Sequence, residues 1–323
     1  MLRIGFVGAG SRAKRHARRV AAHPDCAVLG VCDVDSGAAT AFTAEFGGRT
    51  FTTPFELVEG GPDAVIIVVP PFAHGDVEAA CLRANVPFLI EKPVDLDLNR
   101  ARNVSAQVRA QGLVTAVAYQ HRYYDVVRRV GEELAQRRAG LAFAYWMGGL
   151  PKSSWWGRKE MSGGQAVEQT THWFDLLRWW FGPAQTVYAG SVTRWIPPGD
   201  PRTVEDATCA TIAFRSGVLA VVASACFLQV RENGVERIEI FCPDATLRYE
   251  PNQSLTVATS DALRTYKRQN DNENEMFTDF LAAVQKGNPD GVLCPYEQGV
   301  ESLELTLAVN RALERGTPVN LPL

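Results

Sequence analysis

Small residues near the N-terminus are spaced as in a turn that binds phosphate. Residues 4–16 read IGFVGAGSRAKRH, which sets Gly8, Gly10 and Ala13 in Gly-x-Gly-x-x-Ala register. Gly8 permits a tight turn, Gly10 lets the backbone approach a pyrophosphate, and Ala13 lets a helix pack closely on a strand. The spacing therefore predicts a dinucleotide cofactor at a helix N-terminus, with a ligand-free glycine turn as the alternative.

A carboxylate follows the second apolar run. Asp33 ends the stretch AVLGVCD, twenty residues beyond Ala13. At this position a carboxylate accepts hydrogen bonds from ribose hydroxyls and repels a 2′-phosphate, so NAD is favoured over NADP. NADP stays possible because Arg12, Lys14 and Arg15 could meet that phosphate, although a solvated helix face is the simpler role for them.

A lysine stands at the end of another buried run. Lys92 belongs to the tripeptide Glu91-Lys92-Pro93, at the predicted carboxyl end of the strand that ends at residue 90. Ligands of open α/β sheets bind at this edge. A long side chain that only reaches solvent is the alternative for a lysine taken alone.

Apolar runs and helical patterns alternate over the first part of the chain. The runs, typical of strands buried on both faces, lie at 2–7, 27–32, 64–69, 86–90 and 113–118. The helical patterns between them lie at 12–22, 36–46, 72–84 and 97–111. This order predicts a doubly wound parallel sheet, that is, a Rossmann domain for NAD(P) over residues 1–120.

Beyond residue 120 the regular alternation of apolar runs and helical patterns ends. Runs with strand alternation lie near 141–147, 185–195, 206–214, 218–226, 235–242 and 245–249. Helical patterns lie at 121–138, 166–181, 273–286 and 295–315. Residues 121–323 are therefore predicted to form an α+β domain with a large, mostly antiparallel sheet, for substrate binding and oligomerisation.

Composition restricts the partners. A formal net charge of −3 gives no basic surface for nucleic acid or an anionic membrane, so a small-molecule substrate is expected. Seven scattered cysteines without a Cys-x-x-Cys pair predict reduced thiols and no metal site. No charged leader precedes the first strand and no segment reaches about 18 apolar residues, so we expect a cytoplasmic protein.

The order of these motifs resembles one known family. The stretches VGAGSRAKRH, PDAVIIVVPPFAH, LIEKP and SGGQAVEQTTHWFDLLRWWFG are similar to those of Gfo/Idh/MocA oxidoreductases (glucose–fructose oxidoreductase, inositol dehydrogenase, rhizopine catabolism), over essentially the whole chain. The resemblance implies an NAD(P)-dependent dehydrogenase acting on a secondary alcohol of a sugar, cyclitol or related polyol. It places Lys92 beside the nicotinamide and the reacting hydroxyl, and implies a cis peptide before Pro93.

The second family signature is matched with two departures. It reads here as Gly163, Gly164, Glu168, Thr170, His172 and Asp175. Glu168 replaces the usual aspartate and Thr170 the usual glycine. The resemblance makes His172 the general base and Glu168 a partner of substrate or histidine. On a continuous helix these two residues, four apart, share one face. A structural histidine is the alternative for His172.

The resemblance also indicates residues around the cofactor and substrate. It gives His74 a place at the cofactor, with capping of a helix N-terminus as the alternative. The residues predicted to bind the cofactor are Gly8, Gly10, Ser11, Arg12, Ala13, Asp33, Pro70, His74, Glu91, Lys92 and Gln120.

Four further residues are candidates for substrate binding. Arg122 could clamp a carboxylate or sugar hydroxyls, but an internal ion pair is equally consistent with its sequence context. Trp155 and Trp156, near Arg158, could offer aromatic faces to a sugar ring. Burial or a subunit contact is the alternative for the tryptophans.

Two other functions remain open at this stage. The same architecture could serve as a non-catalytic NAD-binding sensor or regulator, or as an NAD-dependent glycosidase. An apolar face on the second sheet would need cover, which predicts a homodimer or homotetramer. No motif determines the shape of the predicted specificity loops at 150–165 and 227–235, so the substrate itself is left open.

Overall fold

A computed structural model describes residues 1–195, 201–228 and 235–323. Residues 229–234 of the predicted 227–235 loop therefore lie outside the described residues. Within the described chain, Cys26, Cys32, Cys81, Cys226 and Cys294 are buried as thiols. No helix among the described residues is long and apolar enough to cross a membrane, and no cluster of His, Cys, Asp or Glu there could hold a metal ion.

Parallel strands form the first sheet, as predicted. They are β1 (Leu2–Val7), β2 (Cys26–Cys32), β3 (Arg49–Phe51), β4 (Ala64–Ile67), β5 (Phe88–Ile90) and β6 (Thr115–Val117). Among the described residues the sheet has six strands in the order β3-β2-β1-β4-β5-β6, with parallel pairing. The strand order reverses between β1 and β4, where doubly wound sheets form a ligand crevice at the carboxyl ends of their strands.

Helices alternate with these strands. They are α1 (Ser11–Ala22), α2 (Ser36–Phe46), α3 (Pro54–Glu59), α4 (Asp76–Ala84) and α5 (Leu98–Gln111). Strand β4 is fully buried along its length, which accounts for its continuous apolar sequence because helices cover both faces of the sheet. β3 and α3 are too short for the sequence pattern to have predicted them.

A second sheet follows. Its strands are β7 (Leu141–Met147), β8 (Ala184–Val192), β9 (Ala207–Phe214), β10 (Leu219–Ala225), β11 (Val235–Phe241), β12 (Ala245–Glu250), β13 (Ser254–Thr259), β14 (Leu263–Lys267) and β15 (Val319–Asn320). In the described chain their order is β14-β13-β12-β11-β7-β10-β9-β8-β15. β7 and β10 pair in parallel, whereas the other described neighbours are antiparallel. The prediction of a mostly antiparallel second sheet is confirmed.

Helices cover one face of the second sheet. The chain beyond β6 forms the helices α6 (Asp125–Ala135), α7 (Lys159–Ser162), α8 (Thr171–Phe181), α9 (Asn272–Lys286) and α10 (Tyr296–Arg315). Of these, α6, α8 and the later part of α10 contribute buried residues to the core on that face. In β9 the buried residues alternate with half-buried or exposed ones, as a strand with one covered face requires. The core on that face joins Trp173 and Leu177 of α8 to Ile212 and Val222 of the sheet.

The described residues cluster into two compact units. The first is Met1–Tyr119 with Glu273–Val300, and the second is Gln120–Asn272 with Glu301–Leu323. The sequence prediction assigned the whole stretch beyond residue 120 to the second domain, and the clustering differs for Glu273–Val300. This segment returns to the first unit because Tyr296 packs edge-on against Phe88, with ring centroids 5.9 Å apart.

Candidate active site

The glycine turn after β1 has the shape that a pyrophosphate requires. Gly8 has φ +99°, and a Cβ atom there would lie 2.1 Å from the carbonyl oxygen of Val68. Gly10 precedes α1, and no described side chain caps that helix. No heavy atom of the described residues lies within 4 Å of a Cβ built on Gly10. Open space thus faces amide groups that have no intrahelical partner.

Asp33 lies directly beyond β2 and orders this turn. One carboxylate oxygen accepts a hydrogen bond from the amide of Ala9 at 2.6 Å, and the other from the amide of Asp35 at 2.8 Å. Each carboxylate oxygen can accept more than one hydrogen bond, so acceptor capacity is left for a ribose hydroxyl. Ala13 is fully buried and Ser11 is exposed at the first position of α1.

These residues fit a dinucleotide. The turn combines a glycine that tolerates positive φ, an uncapped helix N-terminus and a carboxylate after β2, which are the three parts of such a site. When bound, the nicotinamide accepts or donates a hydride. Pro70 lies half-buried just beyond β4, where it precedes a short 3-10 helix at Pro71–Ala73.

Glu91 is committed to protein partners. Its carboxylate accepts from Arg12 Nε at 2.6 Å and lies 2.8 Å from His16 Nε2. Burial alone would raise the pKa of Glu91, but the charge of Arg12 and the contact with His16 outweigh it and hold the pKa well below its usual range. Arg12 also reaches Glu273 at 2.8 Å. The structure therefore shows both predicted cofactor residues, Glu91 and Arg12, in an ion-pair network.

Lys92 follows this network and is half-buried. The Lys92–Pro93 peptide bond is cis, as the resemblance implied. His74 lies in the same unit, buried, with Nδ1 2.6 Å from a Glu78 carboxylate oxygen. The other oxygen of Glu78 accepts from the Gly75 amide at the start of α4, so the cap is made by Glu78.

A cavity of about 850 Å³ adjoins His74. Its walls come from α4 and α5 and include Arg100, Asn103 and Gln107. Gly8, Gly10 and Asp33 do not line it. This groove is therefore separate from the cofactor turn.

Glu168 lies in a π-helix, not in the predicted continuous α-helix. The π-turn spans Gln165–Gln169, and the amide of Thr170 donates to the carbonyl of Gln165 at 2.8 Å. The prediction that Glu168 and His172 share one helix face assumes a continuous α-helix, so its geometry does not apply across this junction. Glu168 instead accepts a hydrogen bond from the indole nitrogen of Trp156 at 2.6 Å.

Trp156 is buried and anchors its loop. It is 1% exposed and packs with Val204 and Cys226. Of the alternatives that the sequence left open for this tryptophan, the structure shows burial. Trp155 and Arg158 line a cavity of about 320 Å³ beside Arg202. They remain predictions as substrate residues.

His172 sits near the start of α8 in a stack of rings. It is 4% exposed, and its ring centroid lies 4.5 Å from that of His121 with an interplanar angle of 16°. The Trp146 ring lies nearly parallel to it at 6.5 Å. Trp173 meets His121 edge-on at 5.3 Å. The imidazole is thus held in one orientation by aromatic packing.

Arg122 forms an internal ion pair. Its Nε and one terminal nitrogen donate to the two oxygens of Asp175 at 2.8 and 2.6 Å, and the guanidinium is fully buried. Ser302 also donates to Asp175 at 2.7 Å. Of the two alternatives that the sequence left open for Arg122, the structure shows the internal ion pair. Gln120 is half-buried nearby in the chain, and its carbonyl accepts from Asn272.

Both parts of the chain match models of one family. Residues 2–119 match the model described as an oxidoreductase family with an NAD-binding Rossmann fold, and residues 137–248 match the model of a GFO/IDH/MocA C-terminal domain. The chain belongs to the Gfo/Idh/MocA family. It is therefore an NAD-binding oxidoreductase.

Curated members of the family align along most of the chain. A D-glucoside 3-dehydrogenase of Escherichia coli is 25% identical, with 99% of this chain and 97% of that protein covered. An inositol 2-dehydrogenase of Rhizobium meliloti is 25% identical, with 88% and 89% covered. Among solved structures, the WlbA dehydrogenase of Bordetella pertussis has a TM-score of 0.85 at 23% identity, with 100% and 99% covered, which shows the shared fold.

Sequence reasoning missed His121. It stands between Gln120 and Arg122, both of which were predicted as site residues, but no spacing rule relates it to His172. A histidine adjoining two candidate residues was the available signal. Its ring pairing depends on how the short 3-10 helix at Gln120–Tyr123 packs on α8, which no local pattern predicts.

Proposed function

We propose that this Gfo/Idh/MocA member transfers a hydride between NAD and a secondary alcohol of a sugar, cyclitol or related polyol. The names of the relatives from Escherichia coli and Rhizobium meliloti support this substrate class. The observation that carries the proposal is the buried imidazole of His172, oriented by parallel rings within the second unit. A histidine titrates near neutral pH and so suits a general base.

We propose separate duties for the reacting side chains. His172 removes the proton of the hydroxyl that is oxidised and returns it in the reverse direction. Lys92 donates a hydrogen bond to the same oxygen and stabilises the negative charge that develops there. Both groups act on the proton and charge of the alcohol.

Glu168 has a supporting role in this proposal. Its carboxylate binds the indole of buried Trp156. This hydrogen bond connects the loop before α7 to the π-turn that precedes His172. The longer side chain of glutamate, in place of the family's aspartate, provides the reach for this contact. We propose that Glu168 positions this loop and the helix start.

The contacts of the cofactor turn favour NAD over NADP. Asp33 places a negative charge after β2, and a 2′-phosphate is repelled by such a charge. The nearby cations have carboxylate partners, since Lys14 pairs with Glu45 and Arg15 with Glu273. A 2′-phosphate would have to compete with these ion pairs.

The open face of the second sheet supports self-association. On β7, Phe143 and Tyr145 are half-buried while Ala142 and Ala144 face the core, and Val221 of β10 pairs with Phe143. We propose that this apolar face binds a second copy of the chain. Light scattering that gives a monomer mass would contradict this.

Substrate screening tests the proposed function. Purified protein is incubated with NAD or NADP and D-glucose, methyl α-D-glucoside, myo-inositol or simple alcohols, and reduced nicotinamide is followed by absorbance. We expect formation of NADH with a polyol, and little with ethanol. Tight NAD binding without turnover would favour a sensor, and release of nitrophenol from a nitrophenyl glycoside without net NADH would favour a glycosidase.

A further inference from the structure

Two buried imidazoles lie face to face in the second unit. The ring centroids of His121 and His172 are 4.5 Å apart and the rings are nearly parallel. His121 is 7% exposed and His172 is 4% exposed. Water therefore screens little of any charge on either ring, and two imidazolium ions at this separation would repel strongly.

His121 also lies close to a phenol. Tyr249 Oη lies 3.5 Å from Nδ1 of His121. Burial, followed by the charges of its neighbours, raises the pKa of Tyr249 well above its ordinary value, so Tyr249 stays protonated. A neutral phenol places no charge beside His121, so either imidazole of the pair can take the first proton.

Other titratable groups around the pair are balanced by partners or by burial. Beside His121 in the chain, Arg122 is paired with Asp175 of α8. Glu168 of the π-turn binds Trp156.

Tyr124, at the start of α6, meets His121 edge-on. Burial raises the pKa of Glu236 of β11. The remaining charged group that acts on Tyr249 is Arg268, whose guanidinium lies over the Tyr124 ring.

We propose that His121 is a positioning residue for His172: it holds the ring plane of the base by stacking and limits the pair to one bound proton. A proton taken by His172 during turnover then rests against a neutral aromatic ring, which stabilises a cation. A proton on His121 opposes one on His172, so the two rings titrate as a coupled pair. This inference rests on the proposed role of His172 as base.

Histidine titration by NMR tests the coupling without substrate. The full chain is labelled with carbon-13 in its five histidines, and the ring Cε1–H signals are followed from about pH 5 to 8. In His121→Phe, which keeps a flat ring but no titrating nitrogen, the midpoint of His172 should move to higher pH by about one unit. His121→Gln removes the charge without a ring and should give the same direction of shift.

The control is His23→Phe in the first unit, where His23 contacts the ring of Phe277; it should leave the His172 curve unchanged. The proposal is overturned if the NMR titration curve of His172 is identical in wild type and His121→Phe. It is also overturned if the His172 signal does not move with pH in any of these proteins. The proposed function fails separately, if His172→Asn keeps full turnover. Loss of turnover in His172→Asn with no coupling in the NMR data rejects only the role of His121.

Discussion

The segments that carry Lys92 and His172 are held by opposite kinds of contact. Before Lys92, Glu91 is enclosed by Arg12 and His16, so charge and hydrogen bonds keep this strand end in place. Around His172 the contacts are rings, with His121 stacked on one side and Trp146 further out. Removal of a charge should disturb the first segment most, and a change in the shape of a side chain should disturb the second most.

The two acidic residues next to these segments sharpen the contrast. Both Glu91 and Glu168 were predicted as site residues, and in the structure both bind other side chains. Glu91 meets cationic partners, whereas Glu168 accepts from a neutral indole. Removing the carboxylate should therefore leave uncompensated charge in the first case and a lost hydrogen bond in the second.

The largest expected effect follows from Glu91→Gln. It leaves Arg12 with a weaker partner in a mostly buried place, and loss of one partner from such a pair costs about 3–5 kcal/mol. Urea denaturation should show that loss in the free energy of unfolding. Glu45→Gln, which removes the exposed partner of Lys14, is the matched control and should unfold like the wild type; equal effects of both variants would refute the role of the network.

Trp156→Phe should have a smaller effect. A smaller aromatic ring stays, but the hydrogen bond from the indole to the carboxylate of Glu168 is lost, and hydrogen bonds to charged groups contribute about 1.5–3 kcal/mol. Turnover should fall as well, because the π-turn before His172 loses its tie to the loop. Trp155→Phe is the control, since Trp155 is only partly buried. Indistinguishable stability and turnover of the two variants would show that the tie to Glu168 is unimportant.

The pH dependence of stability should separate the two regions further. Because the pKa of folded Glu91 lies below its ordinary value, its stabilisation is complete above the ordinary glutamate pKa of about 4.3 and is lost as the pH falls toward the folded value. The stability gap between wild type and Glu91→Gln should shrink below that pH, by at most about 1.4 kcal/mol per pH unit. Denaturation at a series of pH values checks this, and a constant gap is the contrary result.

Asp33→Ser should produce the smallest effect. It removes the charge that repels a 2′-phosphate but keeps a small polar side chain, so the preference for NAD over NADP should fall by about fivefold, close to 1 kcal/mol. Calorimetric titration of both cofactors gives the ratio. Tighter binding of NADP than NAD by the wild type would contradict the assigned preference.

Local sequence patterns were enough to predict most of the fold. The periodicity of apolar residues located the long strands and helices, and the spacing of Gly8, Gly10 and Asp33 located the turn that the structure shows. Short elements such as α3 were not predicted, because so short a helix shows no measurable periodicity of apolar residues. The segment Glu273–Val300 was assigned to the second domain since sequence order gives no sign that a chain returns to an earlier unit.

Side-chain partners were predicted less well. The environment of Arg122 was left open, and its burial with Asp175 depends on the packing of α8, which is a tertiary property. The shared face of Glu168 and His172 assumed a regular α-helix, but the π-turn adds a residue to the local turn. His121 was passed over because a stack between distant rings leaves no trace in spacing.

The central claim, that His172 is the base of a nicotinamide-dependent polyol oxidation, is tested most directly by His172→Asn. NADH formation is measured with the polyol that the wild type oxidises fastest among D-glucose, methyl α-D-glucoside and myo-inositol, and NAD affinity is measured alongside. We predict that turnover falls by about 10² to 10⁴-fold while NAD binding is unchanged. Turnover equal to that of the wild type would contradict the account.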